Sequence, residues 1–122
     1  MNWMGSPYLD HLQRFLDLTS FRQSLIASNV ANVDTPNYRT VDFNFQEALA
    51  QAEAAAPGEA FTPDVQPVEG LMQRPDGNNV SVDREGMALA QTELQFRLGI
   101  SLLTRELHRI QEAINGGQGV TQ

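Results

Sequence analysis

His11 and His108 are the two histidines in a chain of 122 residues, and neither has a second histidine or a cysteine at ligand spacing. A zinc site needs three or four such donors converging on one ion. Glu112 follows His108 by one helical turn and could share a metal or a proton with it, but an ordinary i,i+4 pair on a helix surface has the same spacing. With no cysteine in the chain, disulfide frameworks, thiolate zinc sites and cysteine nucleophiles are excluded together. Asp42, Glu47, Asp64, Glu69 and Asp76 could be grouped as an acid/base set. They fall mainly in polar loop sequence, where solvated carboxylates are the default and no burial is expected. No nucleophile elbow or glycine-rich phosphate loop frames any serine. Gly116-Gly117-Gln118-Gly119 follows a helix instead of opening one, so it offers no N-terminal amides to an anion. Asn79-Val80-Ser81 fits the glycosylation sequon, a pattern short enough to recur by chance. No catalytic residue, cofactor or metal ligand is assigned, and a non-enzymatic role is expected.

Charge narrows the partners. Eight basic residues, all arginine, oppose 15 acidic ones, for a formal charge of −7. A phosphate backbone would be repelled unless a local basic stripe outweighed that average, and the arginines are scattered, so no nucleic acid is expected. No apolar run approaches the roughly eighteen residues of a membrane span. Met1 to Pro7 has neither a basic stretch nor an apolar core, so no cleavable secretory signal is expected.

Two elements must position whatever this chain presents. From Pro7 to about Asn32, Leu9, Leu12, Leu16, Thr19, Gln23, Ile26, Val30 and Val33 recur at alternating spacings of three and four, a heptad seam. Phe15, Leu18, Leu25 and Asn29 form a second row that widens the stripe. Ser6 suits the cap and Pro7 the first helical position, while Pro36 disfavours a helical Thr35 and should end the helix by about Asp34. A second seam runs from Asp83 to about Asn115 through Leu89, Glu93, Phe96, Ile100, Leu103, Leu107, Ile110 and Ile114, with Leu94, Leu98 and Leu102 beside it. Asp83 is the expected cap and Gly116-Gly117 the expected stop. Glu93, a lone polar residue in that seam, fits a register-setting role better than a catalytic one. The helices should be roughly 40 and 50 Å long.

The connection is irregular. Val41, Phe43 and Phe45 alternate with Asp42 and Asn44 in a short extended piece, and the alanine-rich stretch from Gln46 to Ala56 could hold a helical turn or two. Pro57 to Asn79 carries prolines and glycines with few large apolar groups and is expected to be a mobile or extended loop. The expected fold is all-α, with two long amphipathic helices (about 7–33 and 83–115), antiparallel or near it, joined by a long irregular excursion. The chain divides into a core helix (1–34), a turn and loop region (35–82) and a second core helix with a glycine-rich tail (83–122), forming one assembly domain.

The least generic stretch is Asn29-Val30-Ala31-Asn32-Val33-Asp34-Thr35-Pro36-Asn37-Tyr38. Physically it is a helix end rich in asparagine and small residues, then a turn in which Pro36 presets its backbone angle and Asn37 tolerates a left-handed one. It resembles the N-terminal signature of the flagellar rod, hook and hook-associated family, usually Asn-Ile-Ala-Asn, two residues, then Thr-Pro-Gly-Tyr. Val30 stands for the isoleucine and Asn37 for the glycine, both mild changes. Asn79 to Glu85, Leu94-Gln95-Phe96 and the ending Ala113 to Gly117 resemble the proximal rod branch, the FlgB family, while residues 50 to 78 carry no resemblance.

That resemblance implies a subunit of the helical rod that joins the basal-body ring to the hook and transmits torque. It further implies export through the flagellar type III channel without a cleaved signal and a place in the periplasmic rod. Expected partners are other copies of the chain, other flagellar rod proteins, and basal-body ring, export-gate or rod-adaptor proteins. The expected interface consists of Leu9, Leu12, Leu16 and Ile26, the corner residues Asn29, Val30, Asn32, Thr35, Pro36 and Tyr38, and Leu89, Phe96, Ile100, Leu103, Leu107, Ile110 and Ile114. Two rival readings use the same residues: a soluble coiled-coil adaptor or export chaperone, and a small helical hydrolase acting through His108 and Glu112.

Overall fold

The structure is a computed structural model that describes residues 7–56 and 58–120, with side chains described as far as Gly116. Ser6, the expected cap, and Pro57 lie outside the described residues. Five elements follow in order: α1 (Pro7–Ala31), β1 (Val41–Asp42), α2 (Phe45–Ala54), β2 (Gln66–Pro67) and α3 (Val82–Val120). The architecture is all-α, with the two long helices packed on one another. Asn29 meets Glu85 near one end of the pair and Leu16 lies against Gly99 further along, so α1 and α3 are antiparallel.

Both faces of α1 are used. Leu12, Thr19 and Ile26, seven residues apart, are buried along one stripe, and Leu16 and Asn29 meet α3 at Gly99 and Glu85. The second row serves a different purpose: Leu18 forms a core with Phe43 and Ala48, against which Phe21, Leu25, Phe45, Leu49 and Phe61 pack. Edge-to-face contacts join Phe15 to Phe45 at 5.5 Å and Phe21 to Phe43 at 5.6 Å. The width of the α1 stripe therefore reflects a partner inside the same chain.

That partner is α2, where a turn or two had been expected. Its ten residues begin at Phe45, within the stretch expected to be extended, because the Asn44 side chain accepts from the Glu47 amide at 3.0 Å and caps the helix. At its other end the buried guanidinium of Arg14 donates to the carbonyls of Ala52 and Ala56, where a cation also complements the helix dipole. Small Ala48 and Ala52 let α2 lie close to α1. Composition alone undervalues such a helix, since its caps come from outside it.

The segment from residue 58 to 79 is more fixed than its glycines and prolines imply. β2 pairs antiparallel with β1, Val41 opposite Pro67 and Asp42 opposite Gln66. Arg74, Asn78 and Asn79 then anchor its end to the α1 corner, doing with hydrogen bonds what large apolar groups would otherwise do. The limits of α3 also differ from expectation. Ser81 Oγ accepts from the Arg84 amide at 3.2 Å and is the cap, leaving Asp83 in the first turn. The helix runs through Gly116 and Gly117 to Val120. Glycine permits a stop without imposing one, and the left-handed glycines of the described residues are Gly58, Gly70 and Gly77.

Candidate assembly interface

The signature folds into a corner whose polar side chains bind across elements. Thr35 to Tyr38 is a turn closed by the Tyr38 amide on the Thr35 carbonyl at 3.3 Å, with Pro36 second and Asn37 third at φ 64°. This is the type II arrangement, which needs a left-handed residue at its third position. Asn29 is buried at the centre. Its Nδ2 donates to the Val41 carbonyl at 2.9 Å and to the Glu85 carboxylate, and its Oδ1 accepts from the Tyr38 hydroxyl at 2.9 Å and the Val41 amide at 3.2 Å. The open carbonyls at the end of α1 are met from the segment before α3. Asn78 donates to the carbonyls of Asn32 and Thr35, both at 2.8 Å, and Arg74 donates to that of Val33. Asn79, the sequon asparagine, is buried with its Oδ1 accepting from the Thr40 amide at 2.7 Å, so the folded chain does not present it for modification.

A charged network lies beside the corner. Asp42 accepts from Arg22 at 3.2 Å and from Arg84 at 2.8 Å, and Arg84 also donates to Glu85 at 2.7 Å. Burial would raise the Asp42 carboxyl, but hydrogen bonds from Arg84, the Phe43 amide and Arg22 together hold it below its ordinary value. For Arg84, burial pulls down while hydrogen bonds to Asp42 and Glu85 dominate and raise it. Asp42 is thus a structural carboxylate between two arginines, not the solvated loop residue expected. Glu47, Asp64, Glu69 and Asp76 are exposed and do not converge on it. Among the described residues no group of three or more His, Cys, Asp or Glu could hold a metal, and no helix is long and apolar enough to cross a membrane. His11 pairs with Glu53, while His108 and Glu112 are both exposed.

The apolar seams are divided between the inside of the chain and its surface. Leu12 and Ile26 are buried in the chain, Leu9 and Leu16 half-buried, and Val30 exposed. At the corner Asn32 and Tyr38 are half-buried, whereas Thr35 and Pro36 are exposed. On α3, Ile110 is buried and Phe96 and Leu103 half-buried, but Leu89, Ile100, Leu107 and Ile114 are exposed, Leu107 to 49%. The face that α3 turns inward carries Glu85, Ala88, Thr92, Gly99, Glu106 and Ile110. At about 100° per residue, that face lies roughly 80° around the helix from the row of Leu89, Ile100 and Leu107. A second exposed row, Met87, Leu94 and Leu98, lies on the far side, with Leu94 exposed to 70%.

The inward face escaped the sequence reading because it is made of small and polar residues. Gly99 lies against Leu16 and Phe15, where a Cβ would sit 2.6 Å from Leu16 Cδ2 and 3.1 Å from Phe15 Cδ1. Glu93, expected to set register, is exposed, and the buried polar residues of α3 include Glu85, Thr92 and Glu106. An interval of seven from Glu85 through Thr92 and Gly99 to Glu106 was visible in the sequence, but hydrophobic periodicity does not register such residue types.

Comparison with known proteins gives the surface a context. A family model described as "Flagella basal body rod protein" matches residues 9–39, which span α1 and the corner. The chain is similar to flagellar basal body rod protein FlgB of Cereibacter sphaeroides, 32% identical over 83% of this chain and 88% of that protein. It is also similar to FlgB of Bacillus subtilis, 26% identical over 93% and 97%, and of Salmonella typhimurium, 28% identical over 86% and 91%.

Proposed function

This chain belongs to the FlgB family of flagellar basal body rod proteins, and we propose that it enters the rod by packing the exposed apolar rows of α3, with the exposed part of the α1 corner, against neighbouring subunits. It is a structural, non-enzymatic subunit of the flagellar basal body. The observation that carries the packing proposal is the exposure of Leu89, Ile100, Leu107 and Ile114 along one side of α3 and of Met87, Leu94 and Leu98 along another.

Magnitudes indicate why more than one neighbour is needed. Full burial of a Leu or Ile contributes about 1.5–3 kcal/mol, so completing the burial of four half-exposed side chains contributes on the order of 4 kcal/mol. Association costs about 4–15 kcal/mol in lost freedom. One row barely offsets that cost, whereas two rows engaged by different neighbours exceed its lower range. Assembly on this reading is cooperative, and subunits stay apart until several partners are in place. Repeated contacts between dissimilar surfaces generate an open helical assembly when the rotation between subunits does not close into a ring.

In this proposal the subunit occupies the proximal rod, between the basal-body ring and the distal rod and hook, and passes torque through packed helices. Its partners are other copies of itself, other flagellar rod proteins, and ring, export-gate or rod-adaptor proteins. It reaches the periplasmic rod through the type III channel without a cleaved signal. The test is to delete the gene in its native host and examine purified hook–basal bodies by microscopy and mass spectrometry. A missing rod, restored by complementation with an uncleaved chain found in the basal body, is expected. An intact rod and normal swimming would overturn the proposal.

A further inference from the structure

Two surfaces of the chain are complementary and lie on opposite sides of the α1–α3 pair. On α3, Leu94, Arg97, Leu98 and Arg105 form an exposed edge more than about 100° around the helix from its inward face. On α1, roughly 160° around from Leu16 and Asn29, an open groove of about 480 Å³ runs between the helix and segment 58–63. Leu18, Phe21 and Phe61 supply its apolar lining, and Asp10, Asp17 and Glu59 its acidic one. Arg14, the single cation of that lining, is already bound by Asp10 and by the carbonyls of Ala52 and Ala56. Among the described residues, Asp17, Glu59, Arg97 and Arg105 have no ion-pair partner within the chain.

We infer that this groove receives the leucine–arginine edge of α3 from a second copy lying alongside in the same orientation. The two surfaces of one chain face opposite ways, so they can meet only between copies. Their axial levels agree. Asn29 lies beside Glu85 and Leu16 beside Gly99, which sets Asp10 level with Arg105, Asp17 with Arg97 and Leu98, and Phe21 with Leu94. A copy displaced sideways without axial shift therefore brings arginine to aspartate at two levels and leucine to phenylalanine at a third. A copy turned end for end would set Leu94 beside Asp10 and Arg105 beside Phe21, matching neither charge nor apolar surface. The ion pairs fix register and orientation, while the leucines supply the burial. Because the two surfaces differ, the contact is heterologous and repeats from copy to copy. The inference rests on the rod reading and names the surface that covers one of the two exposed rows of α3.

The test uses hook–basal bodies purified from the native host, with Gln13, which lines the groove between Asp10 and Asp17, replaced by a benzophenone-bearing residue. Irradiation should join the chain to residues 94–105 of another copy, read as a product of twice the chain mass and assigned by mass spectrometry. A link to a different basal-body protein, or no link from a chain that is present in the rod, would overturn the inference and leave the rod reading intact. Absence of the chain from basal bodies would overturn both. A charge exchange gives a second readout that does not depend on the probe. Asp17 and Arg97 are exposed, so Asp17→Arg and Arg97→Asp should each keep the helical signal and lose swimming, and the double variant should regain it. Normal swimming in either single variant, or a double variant no better than the singles, would also sink the inference.

Discussion

Asn78 donates its side-chain amide to the carbonyl of Asn32 at 2.8 Å across 46 residues of sequence, and through it the segment before α3 closes the end of α1. The same amide reaches Thr35, also at 2.8 Å, and Asn78 is fully buried. Removing it takes one hydrogen bond from each of these carbonyls and takes from the Val80 amide the Asn78 Oδ1 it donates to at 2.8 Å. Asn78→Ala is expected to destabilise the chain by about 1–3 kcal/mol, the usual cost of unmet buried polar groups. Urea unfolding measures the loss, and hydrogen exchange should show faster opening at the end of α1 than at its middle.

Gly99 permits the closest approach of the two long helices. An added methyl would meet the flexible end of Leu16 at 2.6 Å and the Phe15 ring at 3.1 Å. For Gly99→Ala, the gain of about 1 kcal/mol in helix propensity is set against comparable overpacking, so stability should change by less than about 1 kcal/mol. Gly99→Leu has no such balance and should lose about 2–3 kcal/mol. Denaturant midpoints of the two variants check the contrast.

Asp42 gives the fold an acid limit. Its folded carboxyl lies below the ordinary value, so the unfolded chain takes up the proton first as pH falls. Its contribution is complete above the unfolded value of about 3.9 and is lost as pH drops through the lower folded one. Stability measured from pH 6 to pH 3 should fall on the acid side, and Asp42→Asn should flatten part of that fall. An unchanged slope in the variant would refute the assignment.

Assembly and folding can be separated by position on α3. Leu107 and Ile100 are exposed, so Leu107→Asp or Ile100→Asp should leave the helical signal and unfolding midpoint nearly unchanged while blocking motility and rod formation. Ile110→Asp places an unpaired charge at a buried position and should damage the fold itself. Swimming assays paired with circular dichroism distinguish the two. Normal motility in both exposed variants would show that this row is not an interface.

Gly77 is required by its backbone and by its neighbour. Its φ is 86°, and a Cβ there would collide with the side chain of Asn37. Gly77→Ala should cost about 1–2 kcal/mol, combining left-handed strain with that clash. Thermal unfolding of the variant beside Gly70→Ala, which has open space at its Cβ, separates clash from strain.

The sequence by itself determined the two long amphipathic helices, the turn at Pro36 and Asn37, the lack of cysteine, and the signature that places the chain in its family. These are local properties, since heptad spacing, proline geometry and residue type act within a few residues. Tertiary structure alone decided which row of α3 faces α1, why ten alanine-rich residues form α2, and how the glycine- and proline-rich segment is held. Hydrophobic periodicity locates an apolar row without saying whether its cover comes from the same chain or from another. On α3 the exposed row of Leu89, Ile100 and Leu107 and the intrachain face are roughly 80° apart, because Gly99, Thr92 and Ala88 allow closer helix approach than leucines would. Glu85, Asn78 and Arg14 belong to the same class: their partners lie 38 to 56 residues away, and only the folded chain brings them together.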